Sequence, residues 1–276
     1  MGTLTERHRR FWDLHQQACF VIPNPWDAGS ARLMAASGAP ALATTSAGFA
    51  FTLGRPDGGT VSRDEALRHA AEMVAATPLP VSGDFENGFA DAPEDVAETV
   101  RLAREAGLSG CSIEDTVMSD VKASYEFDDA VERVAAAADA ARSLEDPFVL
   151  CARADGVMHG VYDMDEAVLR IRAFESAGAD LLYVPVVPSV ETLELVVHAV
   201  SKPVNALAAG ALSRVTVSEL ASIGVRRISV GSMIARMTHS GILRAMASIN
   251  SGDFASFSEA ASGVEIDHLL AEGSTS

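Results

Sequence analysis

The chain has 276 residues, of which 48% are hydrophobic and 21% are charged, and its formal net charge is −17. This composition is typical of a folded protein with a large core and excludes extensive disorder. The negative charge argues against a nucleic-acid-binding protein, which needs a basic surface, and against binding to an anionic membrane. No apolar run reaches the ~18 residues of a membrane span, and the N-terminus lacks the apolar segment of a signal peptide. We therefore expect a soluble, cytoplasmic protein.

Eight short apolar runs recur along the chain, each followed by a segment with helical spacing. The runs are C-F-V-I-P-N-P (19–25), A-L-A-T-T-S-A (41–47), L-P-V-S-G-D-F-E (79–86), G-C-S-I-E-D (110–115), F-V-L-C-A-R-A-D (148–155), L-L-Y-V-P-V-V (181–187), P-V-N-A-L-A (203–208) and R-I-S-V-G-S (227–232). Their nearly continuous hydrophobicity is typical of parallel strands that are covered on both faces. Eight strand–helix units in a chain of this length predict a TIM-type (β/α)8 barrel, which takes about 250 residues.

Helix signals between the runs support this prediction. In 92–107, Asp91 is the expected N-cap, Pro93 lies in the first turn and Gly107 follows the end. The segment from Asp163 to Gly178 repeats the design. An open doubly wound sheet is the alternative fold, but neither GxGxxG nor GxxxxGK[ST] occurs in the chain.

The ends of the chain lie outside the repeat. Residues 3–17 predict an additional N-terminal helix, and the tail 251–276 predicts further helices, mainly over 251–272. We expect a single domain over 1–276. Three cysteines without CxxC spacing, each in or beside an apolar run, predict free buried thiols rather than disulfides (Cys19, Cys111 and Cys151).

Acidic side chains end two neighbouring runs. Asp84 and Glu86 end the third run, and Glu114 and Asp115 end the fourth. The carboxyl ends of barrel strands meet at one mouth, and residues two apart on an extended segment point to the same side. Oxygen ligands without His or Cys suit Mg²⁺ or Mn²⁺. From spacing alone, solvated carboxylates that cap helices remain the alternative.

The acidic stretches form part of a longer series of motifs. V-S-G-D-F-E-N-G-F-A-D (81–91), S-I-E-D (112–115) and C-A-R-A-D (151–155) resemble, in order, motifs of the isocitrate lyase and phosphoenolpyruvate mutase superfamily. Further matches are N-P-W-D-A-G-S-A-R (24–32), T-S-A-G (45–48), G-R-P-D-G (54–58), A-G-A-D (177–180), P-V-N-A-L-A (203–208) and G-V-R-R-I-S-V-G-S (224–232). The resemblance covers about residues 10 to 250.

The resemblance implies a role for each matching residue. Metal-binding positions, direct or through water, are matched by Asp84, Glu86 and Glu114. Substrate-binding positions, including the loop that cradles an α-keto acid, are matched by Ser46, Ala47, Gly48, Arg153 and Asn205. The remaining catalytic candidates are Asp57, near the metal, and Lys122, on a mobile loop.

The chemistry agrees with these roles. Cleaving a bond beside a keto acid leaves an enolate, and a metal ion with backbone N–H groups stabilises the charge on its oxygen. Gly48 is expected to permit a close backbone approach to the ligand. The planar fork of Arg153 suits a carboxylate or a phosphonate. A structural ion pair of Arg153 with Asp155 or Glu114 is the alternative.

Two segments depart from the lyases of the superfamily. Those enzymes carry a Lys-Lys/Arg-Cys-Gly-His motif on a mobile loop, whereas residues 116–129 read T-V-M-S-D-V-K-A-S-Y-E-F-D-D, without Cys or His. Residues 183–187 read Y-V-P-V-V where the lyases have Phe-Pro-Glu. The sequence therefore resembles the phosphoenolpyruvate mutase-like branch, and the reaction type stays open.

The resemblance implies a Mg²⁺-dependent enzyme that makes or breaks a C–C or P–C bond of a small α-keto acid through a pyruvate-type enolate. A lyase, hydrolase or decarboxylase of an oxaloacetate-like dicarboxylate is the first choice. The alternatives are a phosphonomutase or phosphonopyruvate hydrolase, similar to carboxyvinyl-carboxyphosphonate phosphorylmutase, and a non-catalytic metabolite-binding barrel.

The resemblance also implies assembly and motion. Family members form oligomers in which a C-terminal helix crosses to a neighbouring barrel, and the apolar spacing of 233–249 and 253–272 is compatible with this. We expect a homo-oligomer, a dimer or a tetramer. The loop 116–129 is expected to close over the substrate.

Overall fold

The computed structural model describes residues 3–120 and 122–275 and contains all eight predicted strands. These are β1 (Phe20–Ile22), β2 (Leu42–Ala43), β3 (Val81–Asp84), β4 (Gly110–Glu114), β5 (Val149–Arg153), β6 (Leu181–Tyr183), β7 (Val204–Leu207) and β8 (Arg227–Ser229). All pair in parallel, in the order β1-β8-β7-β6-β5-β4-β3-β2. The predicted TIM-type fold is confirmed.

The barrel is closed between β1 and β2 by a few hydrogen bonds. The Ala43 N–H donates to the Pro23 carbonyl at 3.1 Å. The Asn24 side chain extends this closure, since its Oδ1 accepts from the Gly231 N–H at 2.9 Å and its Nδ2 donates to the Thr44 carbonyl at 3.1 Å. One buried amide therefore joins the ends of β8, β1 and β2 at the mouth.

Twelve helices surround the strands in the described part of the chain. They are α1 (Leu4–Gln16), α2 (Ala28–Ala36), α3 (Ser46–Thr52), α4 (Arg63–Ala76), α5 (Pro93–Glu105), α6 (Phe127–Arg142), α7 (Gly156–His159), α8 (Met164–Ala177), α9 (Val190–His198), α10 (Val217–Ser222), α11 (Met233–Asn250) and α12 (Gly263–Glu272). Short 3-10 turns occur at Gly210–Leu212 and Ala255–Glu259. No described helix is long and apolar enough to cross a membrane.

The helix boundaries test the predicted caps. The carboxylate of Asp163 accepts from the Glu166 N–H at 3.0 Å at the start of α8, and Gly178 ends that helix with φ 107°. The predicted cap at Asp91 is wrong, because Ala92 is the N-cap of α5 and makes no side-chain cap. Asp91 instead accepts a hydrogen bond from the Tyr125 hydroxyl. A long-range partner has displaced a local one.

Helix α1 closes the bottom of the barrel, as the prediction of an additional N-terminal helix requires. Phe11 is fully buried and packs with Phe20, Ile22, Ala41, Val149, Cys151, Leu181 and Tyr183. A Cβ at Gly110 would lie 2.4 Å from the Val149 carbonyl oxygen and 3.0 Å from Phe11 Cε1, so only glycine fits there. Burying one such phenyl ring contributes about 2 kcal/mol. The opposite end of the barrel is left as the open mouth.

The C-terminal helices pack unequally. Helix α12 packs on α2, whereas Ala235 is the only residue of α11 that is buried. The exposed apolar side chains of α11 include Met237, at 67%, and Leu243, at 71%. Most of the apolar face of α11 is therefore not covered by the described part of this chain.

The cysteines are all free, as predicted. Cys111 and Cys151 are buried in the barrel, and Cys19 is half-buried. Burial raises the pKa of the Cys111 and Cys151 thiols, which keeps them neutral.

A buried histidine near the bottom of the barrel should make stability depend on pH. His15 packs between the rings of Phe11 and Phe20, and burial together with the charge of Arg227 lowers its pKa to about 3. Its Nδ1 lies 2.8 Å from the Phe11 carbonyl oxygen, and its buried Nε2 has no hydrogen-bond partner. Because the unfolded state binds the proton more tightly, this stability is present above about pH 6.5 and is lost as pH falls.

Urea unfolding at pH 7 and pH 5 measures this effect. From pH 7 to pH 5, the free energy of unfolding should fall in the wild type by about 2 kcal/mol more than it falls in His15→Gln. His268→Gln is the control, because the His268 side chain is 77% exposed. Equal losses in the wild type and in His15→Gln would remove His15 as the cause.

Candidate active site

A cavity of about 150 Å³ opens at the carboxyl ends of the strands. Each strand, or the segment that follows it within two residues, contributes a lining residue: Asn24, Ala43, Ser82, Ser112, Arg153, Tyr183, Leu207 and Ser229. This is the end at which TIM-barrel enzymes carry their active sites. Ser46, Ala47, Asp57 and Asp84 from the predicted site also line the cavity.

Arg153 lies at the centre of the acidic cluster. Its Nη1 is 2.8 Å from Asp84 Oδ1, and its Nη2 is 2.9 Å from Glu114 Oε2. Asp155 accepts from both Nε, at 3.1 Å, and Nη2 of the same guanidinium. Arg153 therefore forms the ion pairs with Asp155 and Glu114 that were the alternative to a substrate-binding role. The same group brings together Asp84 and Glu114, two of the predicted metal ligands.

The charged side chains of this group shift one another's pKa values. Burial alone would lower the pKa of Arg153, but the Asp155, Glu114 and Asp84 carboxylates raise it well above its usual range. Burial raises the pKa of Glu114 in spite of Arg153. The guanidinium stays charged, and it makes the burial of its acidic neighbours tolerable.

Asp84 faces the central cavity and is held from several sides. Its Oδ2 accepts from the Ser46 N–H at 2.9 Å and from the Ser46 hydroxyl at 2.8 Å. Its Oδ1 accepts from the Ser112 hydroxyl at 3.2 Å, in addition to Arg153. The position of this carboxylate is therefore fixed by β4, β5 and the start of α3.

The predicted substrate loop at Ser46–Gly48 forms the first turn of α3. Ser46 and Ala47 line the cavity, whereas Gly48 does not. A Cβ at Gly48 would lie 2.5 Å from Thr45 Cγ2 and 3.1 Å from Trp26 Cβ. The protein itself therefore leaves no room for a side chain at Gly48, and the close approach of its backbone to a ligand stays a prediction.

Glu86 does not point to the same side as Asp84. Strand β3 ends at Asp84, and Glu86 has φ 45°, so the two-residue alternation does not continue. Glu86 lines a separate side cavity of about 380 Å³ together with Gly59, Asp91 and Met118. The Gly59 N–H donates to Glu86 Oε1 at 3.3 Å, and the buried Oε2 has no hydrogen-bond partner among the described residues.

The environment of Glu86 disfavours its negative charge. Burial, and then the charges of Asp84 and Asp57, raise its pKa to about 7. A buried carboxylate oxygen without a partner beside further carboxylates is costly unless a cation meets it. This is the electrostatic signature expected of a metal-binding position.

The other predicted site residues lie farther from the centre. The Asp57 side chain is exposed at the rim, yet desolvation by the surrounding chain, with the Asp84 charge, raises its pKa. Lys122 is exposed and does not line the central cavity. Asn205 has no exposed surface, because its Nδ2 donates to Ser229 Oγ at 2.9 Å and its Oδ1 accepts from Arg227 Nε at 2.7 Å.

Asp115 belongs to a supporting network that the sequence did not reveal. Its carboxylate accepts from the Asp155 N–H at 2.8 Å, the Tyr162 hydroxyl at 2.6 Å and Arg170 Nη1 at 3.2 Å. A Cβ at Gly156 would lie 2.1 Å from the Tyr162 ring, so glycine is needed for this contact. The network fixes the backbone of Asp155 and thereby the carboxylate that holds Arg153.

The predicted lid, 116–129, begins as a short hairpin. Thr116 and Ser124 form an antiparallel bridge, and the Val117 N–H donates to the Ala123 carbonyl at 2.9 Å. Residue 121 lies outside the described residues. A Cβ at Gly59 would lie 2.8 Å from the Met118 carbonyl oxygen, so the hairpin packs against the loop that carries Asp57.

Tyr125 anchors the end of this hairpin. Its N–H donates to the Asp115 carbonyl at 2.9 Å, and its own carbonyl accepts from Arg170 Nη1 at 2.8 Å. Its hydroxyl accepts from Asn87 Nδ2 at 2.8 Å, and the Arg133 guanidinium lies 3.9 Å from its ring centroid. These contacts hold the base of the segment at Tyr125.

The donor set fits a hard divalent cation by its chemistry. Five carboxylates surround the single guanidinium of Arg153: Asp57, Asp84, Glu86, Glu114 and Asp155. Within residues 3–120 and 122–275, no three acidic, His or Cys side chains yet converge as a ligand cluster. Arg153 lies between Asp84 and Glu114, the two carboxylates that would have to turn towards the ion.

One cavity residue, Arg227, was missed by sequence reasoning. It begins β8, is only 5% exposed and lines the floor of the central cavity. The available signal was a charged residue in R-I-S (227–229), where alternation places residues 227 and 229 on the same face of the strand.

The chain is similar to several enzymes in sequence. It is 34% identical to oxaloacetate decarboxylase of Paraburkholderia xenovorans over 221 residues, which cover 76% of this chain and 71% of that protein. It is 30% identical to 2-methylisocitrate lyase of Escherichia coli over 208 residues, which cover 72% of this chain and 69% of that protein.

The structure has a close counterpart. A crystal structure from Burkholderia cenocepacia J2315, provisionally assigned as a lyase/mutase, superimposes with a TM-score of 0.93. The two chains are 45% identical, and the match covers 97% of this chain and 96% of the other. The family model described as phosphoenolpyruvate phosphomutase matches residues 11–250. The chain therefore belongs to the phosphoenolpyruvate phosphomutase family, within the isocitrate lyase/phosphoenolpyruvate mutase superfamily.

Proposed function

We propose that this enzyme is Mg²⁺-dependent and makes or breaks a C–C or P–C bond of a small α-keto acid or dicarboxylate through a pyruvate-type enolate. The observation that carries the proposal is the excess of carboxylates around Arg153, with Glu86 Oε2 buried and unpartnered. An excess of buried negative charge at a barrel mouth favours a cation and an anionic ligand together.

The residues divide the work. Asp84, Glu86 and Glu114 are the groups that would hold Mg²⁺, directly or through water, and Mn²⁺ suits the same oxygens. When bound, the ion supplies Lewis-acid stabilisation of charge on the substrate oxygen. Ser46 orients Asp84 through two hydrogen bonds, and Arg153 presents a planar fork to an anionic group of the substrate.

Proton transfer falls to groups near the rim. Asp57 lines the cavity, and burial together with the charge of Asp84 raises its pKa, which makes it a stronger base for accepting a proton. Lys122 reaches the substrate only when the hairpin 116–124 closes. With no Cys in that hairpin, an acid other than a thiol must serve there.

The type of bond has two candidates. Carbon–carbon bond chemistry is the first, because relatives at 30% identity or more are named a decarboxylase and a lyase. A phosphonomutase or phosphonopyruvate hydrolase is the second, because the matching family model is that of phosphoenolpyruvate phosphomutase. Oxaloacetate, substituted malates, phosphonopyruvate and phosphoenolpyruvate, each tested with Mg²⁺ and a pyruvate-linked assay, separate them. No turnover of any, with oxalate still bound, would favour a non-catalytic barrel.

Substitution of a proposed metal-binding carboxylate should weaken metal-dependent binding. We expect Asp84→Asn and Glu114→Gln to weaken Mg²⁺-dependent oxalate binding, measured by calorimetry, by about 10- to 100-fold, because each loses a charged donor. Glu98→Gln is the control, since Glu98 is exposed on α5. Circular dichroism reports folding. Folded variants with wild-type Mg²⁺ affinity would overturn the assignment.

The hairpin 116–124 is proposed to act as a lid. The chain has two lysines, Lys122 and Lys202, and the bond after Lys202 precedes a proline, which lysine-specific endoproteases cut poorly. Digestion of the native protein should therefore report on the lid alone. We expect Mg²⁺ plus oxalate to slow cleavage after Lys122, because a closed lid is inaccessible.

Two comparisons control the digestion. Lys122→Arg should resist the protease under both conditions and thereby confirms the cleavage site. Oxalate without Mg²⁺ should give little protection. Cleavage of the wild type at one rate with and without Mg²⁺ and oxalate would identify the segment as a rigid connector.

We infer a homo-oligomer, a dimer or a tetramer, in which α11 packs on a second copy. Its apolar side chains are exposed, and an apolar groove of about 790 Å³ lies beside it, lined by Leu33, Met34, Ile266 and Leu270. Both surfaces occur in one chain, so two copies can cover each other's apolar area.

Light scattering at micromolar concentration tests the assembly. The wild type should be a dimer or tetramer, and Leu243→Glu should shift it towards monomer by placing a charge in the interface. Leu195→Glu is the matched control, because Leu195 is 67% exposed on α9, a helix outside this surface. A monodisperse wild-type monomer would contradict the inference.

A further inference from the structure

The floor of the central cavity carries an arginine without an acidic partner. Arg227 Nε donates to Asn205 Oδ1 at 2.7 Å, and Nη2 donates to Cys151 Sγ at 3.4 Å. None of the ion pairs formed by residues 3–120 and 122–275 includes Arg227. These two acceptors use only part of the five N–H donors of a guanidinium.

The neighbours of Arg227 supply no negative charge. Asn205 is a neutral amide, fixed by Ser229. Burial raises the pKa of the Cys151 thiol and of the Tyr183 hydroxyl, so both stay protonated. The imidazole of His15, whose pKa lies near 3, is also neutral. Arg227 is only 5% exposed, and its guanidinium remains charged. An unpaired buried charge is costly.

The cavity is therefore polarised. At the mouth, Arg153 is engaged by three carboxylates. At the floor, Arg227 faces the same cavity, its hydrogen-bond acceptors are the neutral Asn205 and Cys151, and the nearby Arg153 adds a second positive charge. The apolar layer below, which contains Phe11, Phe20 and Leu181, shows that packing alone does not call for a charge here. A ligand with a negative charge would supply the missing counter-charge.

We propose that Arg227 determines specificity by binding a second anionic group of the substrate, a carboxylate or a phosphonate, while the keto-acid head group lies at the acidic end. The inference rests on the proposed function and narrows it to substrates with two anionic groups. The cavity volume of about 150 Å³ keeps that substrate small. Asn205 acts as a positioning residue, since it holds Arg227 Nε and has no exposed surface.

Three ligands with one head group test the proposal. Lactate, malate and 3-phosphonolactate share a 2-hydroxy-acid head and differ in the distal group, which is absent, a carboxylate or a phosphonate. Their affinities are measured by displacement of oxalate from the protein in Mg²⁺. We expect the wild type to bind malate or 3-phosphonolactate about 10- to 100-fold more tightly than lactate, the range of a charge-assisted hydrogen bond. The tighter of the two identifies the distal group.

Substitution of Arg227 should remove this preference and nothing else. We expect Arg227→Met to bind the three ligands within about threefold of one another and to keep wild-type affinity for oxalate and lactate. Arg227→Lys should retain part of the preference, because it keeps the charge without the fork. Arg226→Met is the matched control, since Arg226 is the adjacent, exposed residue of the chain. If Arg227→Met does not fold, Arg227→Lys and Arg227→Gln carry the comparison.

The outcomes separate this inference from the proposed function. Loss of oxalate binding in the wild type would overturn both. Wild-type oxalate binding with equal affinity for lactate, malate and 3-phosphonolactate would overturn the inference alone. So would a distal-group preference that Arg227→Met leaves unchanged, and Arg227 would then be a structural residue of the barrel.

Discussion

The ion-pair group around Arg153 is the constraint on which the mouth of this barrel depends. Carboxylates from the ends of β3 and β4, and from the residue just before α7, meet one guanidinium at the end of β5. The buried Glu114 and Asp155 and the partly buried Asp84 share this one base, and the low local dielectric makes an excess of negative charge here costly. On the proposed function, the cation would bind the carboxylates and the anionic substrate would bind the Arg153 guanidinium. The two ligands together would then replace the ion pairs that these side chains make with each other.

The supporting network couples this group to the hairpin above it. Asp115 holds the Asp155 backbone, and Arg170 contacts both Asp115 and the Tyr125 carbonyl. A displacement of Tyr125 would therefore be transmitted through Arg170 and Asp115 to Asp155, the acid that orients Arg153. Two tyrosine hydroxyls with raised pKa values, those of Tyr125 and Tyr162, act here as neutral hydrogen-bonding groups. The base of the hairpin and the charge cluster form one hydrogen-bonded unit. On the proposed role of the hairpin as a lid, this unit would couple closure of the lid to binding of the ligand.

The sequence predicted the fold well because the information was local. Continuous apolar runs mark buried parallel strands, and Asp163 and Gly178 define α8 through contacts within a few residues. The failures concern long-range contacts. Asp91 serves Tyr125 rather than α5, and the left-handed backbone at Glu86 redirects its carboxylate into another cavity. Neither the Asp91–Tyr125 contact nor the backbone conformation at Glu86 can be predicted from the spacing of residues in the sequence.

The predicted site shows the same division. Asp84, Glu114 and Arg153 converge because strand ends in a barrel must meet, and the motif order placed each on its strand. Asn205 does not line the cavity, and its amide oxygen accepts from Arg227, a residue that lies within a quoted motif but was given no role there. A buried arginine is recognised by its missing partner, and that can be seen only when all its neighbours are known.

The walls of the mouth restrict where reaction-specific groups can come from. Where the superfamily's lyases are expected to carry a glutamate after β6, this chain has Val186, with φ 54° and 42% exposed. A β-branched residue in the left-handed region is strained, so the surrounding loop must hold it there. The neighbouring Pro185 lines the cavity together with Met158, and both make this side of the mouth apolar. On the proposed function, a substrate anchored at both charged ends would turn its reacting bond away from this wall, towards Asp57 and the polar hairpin.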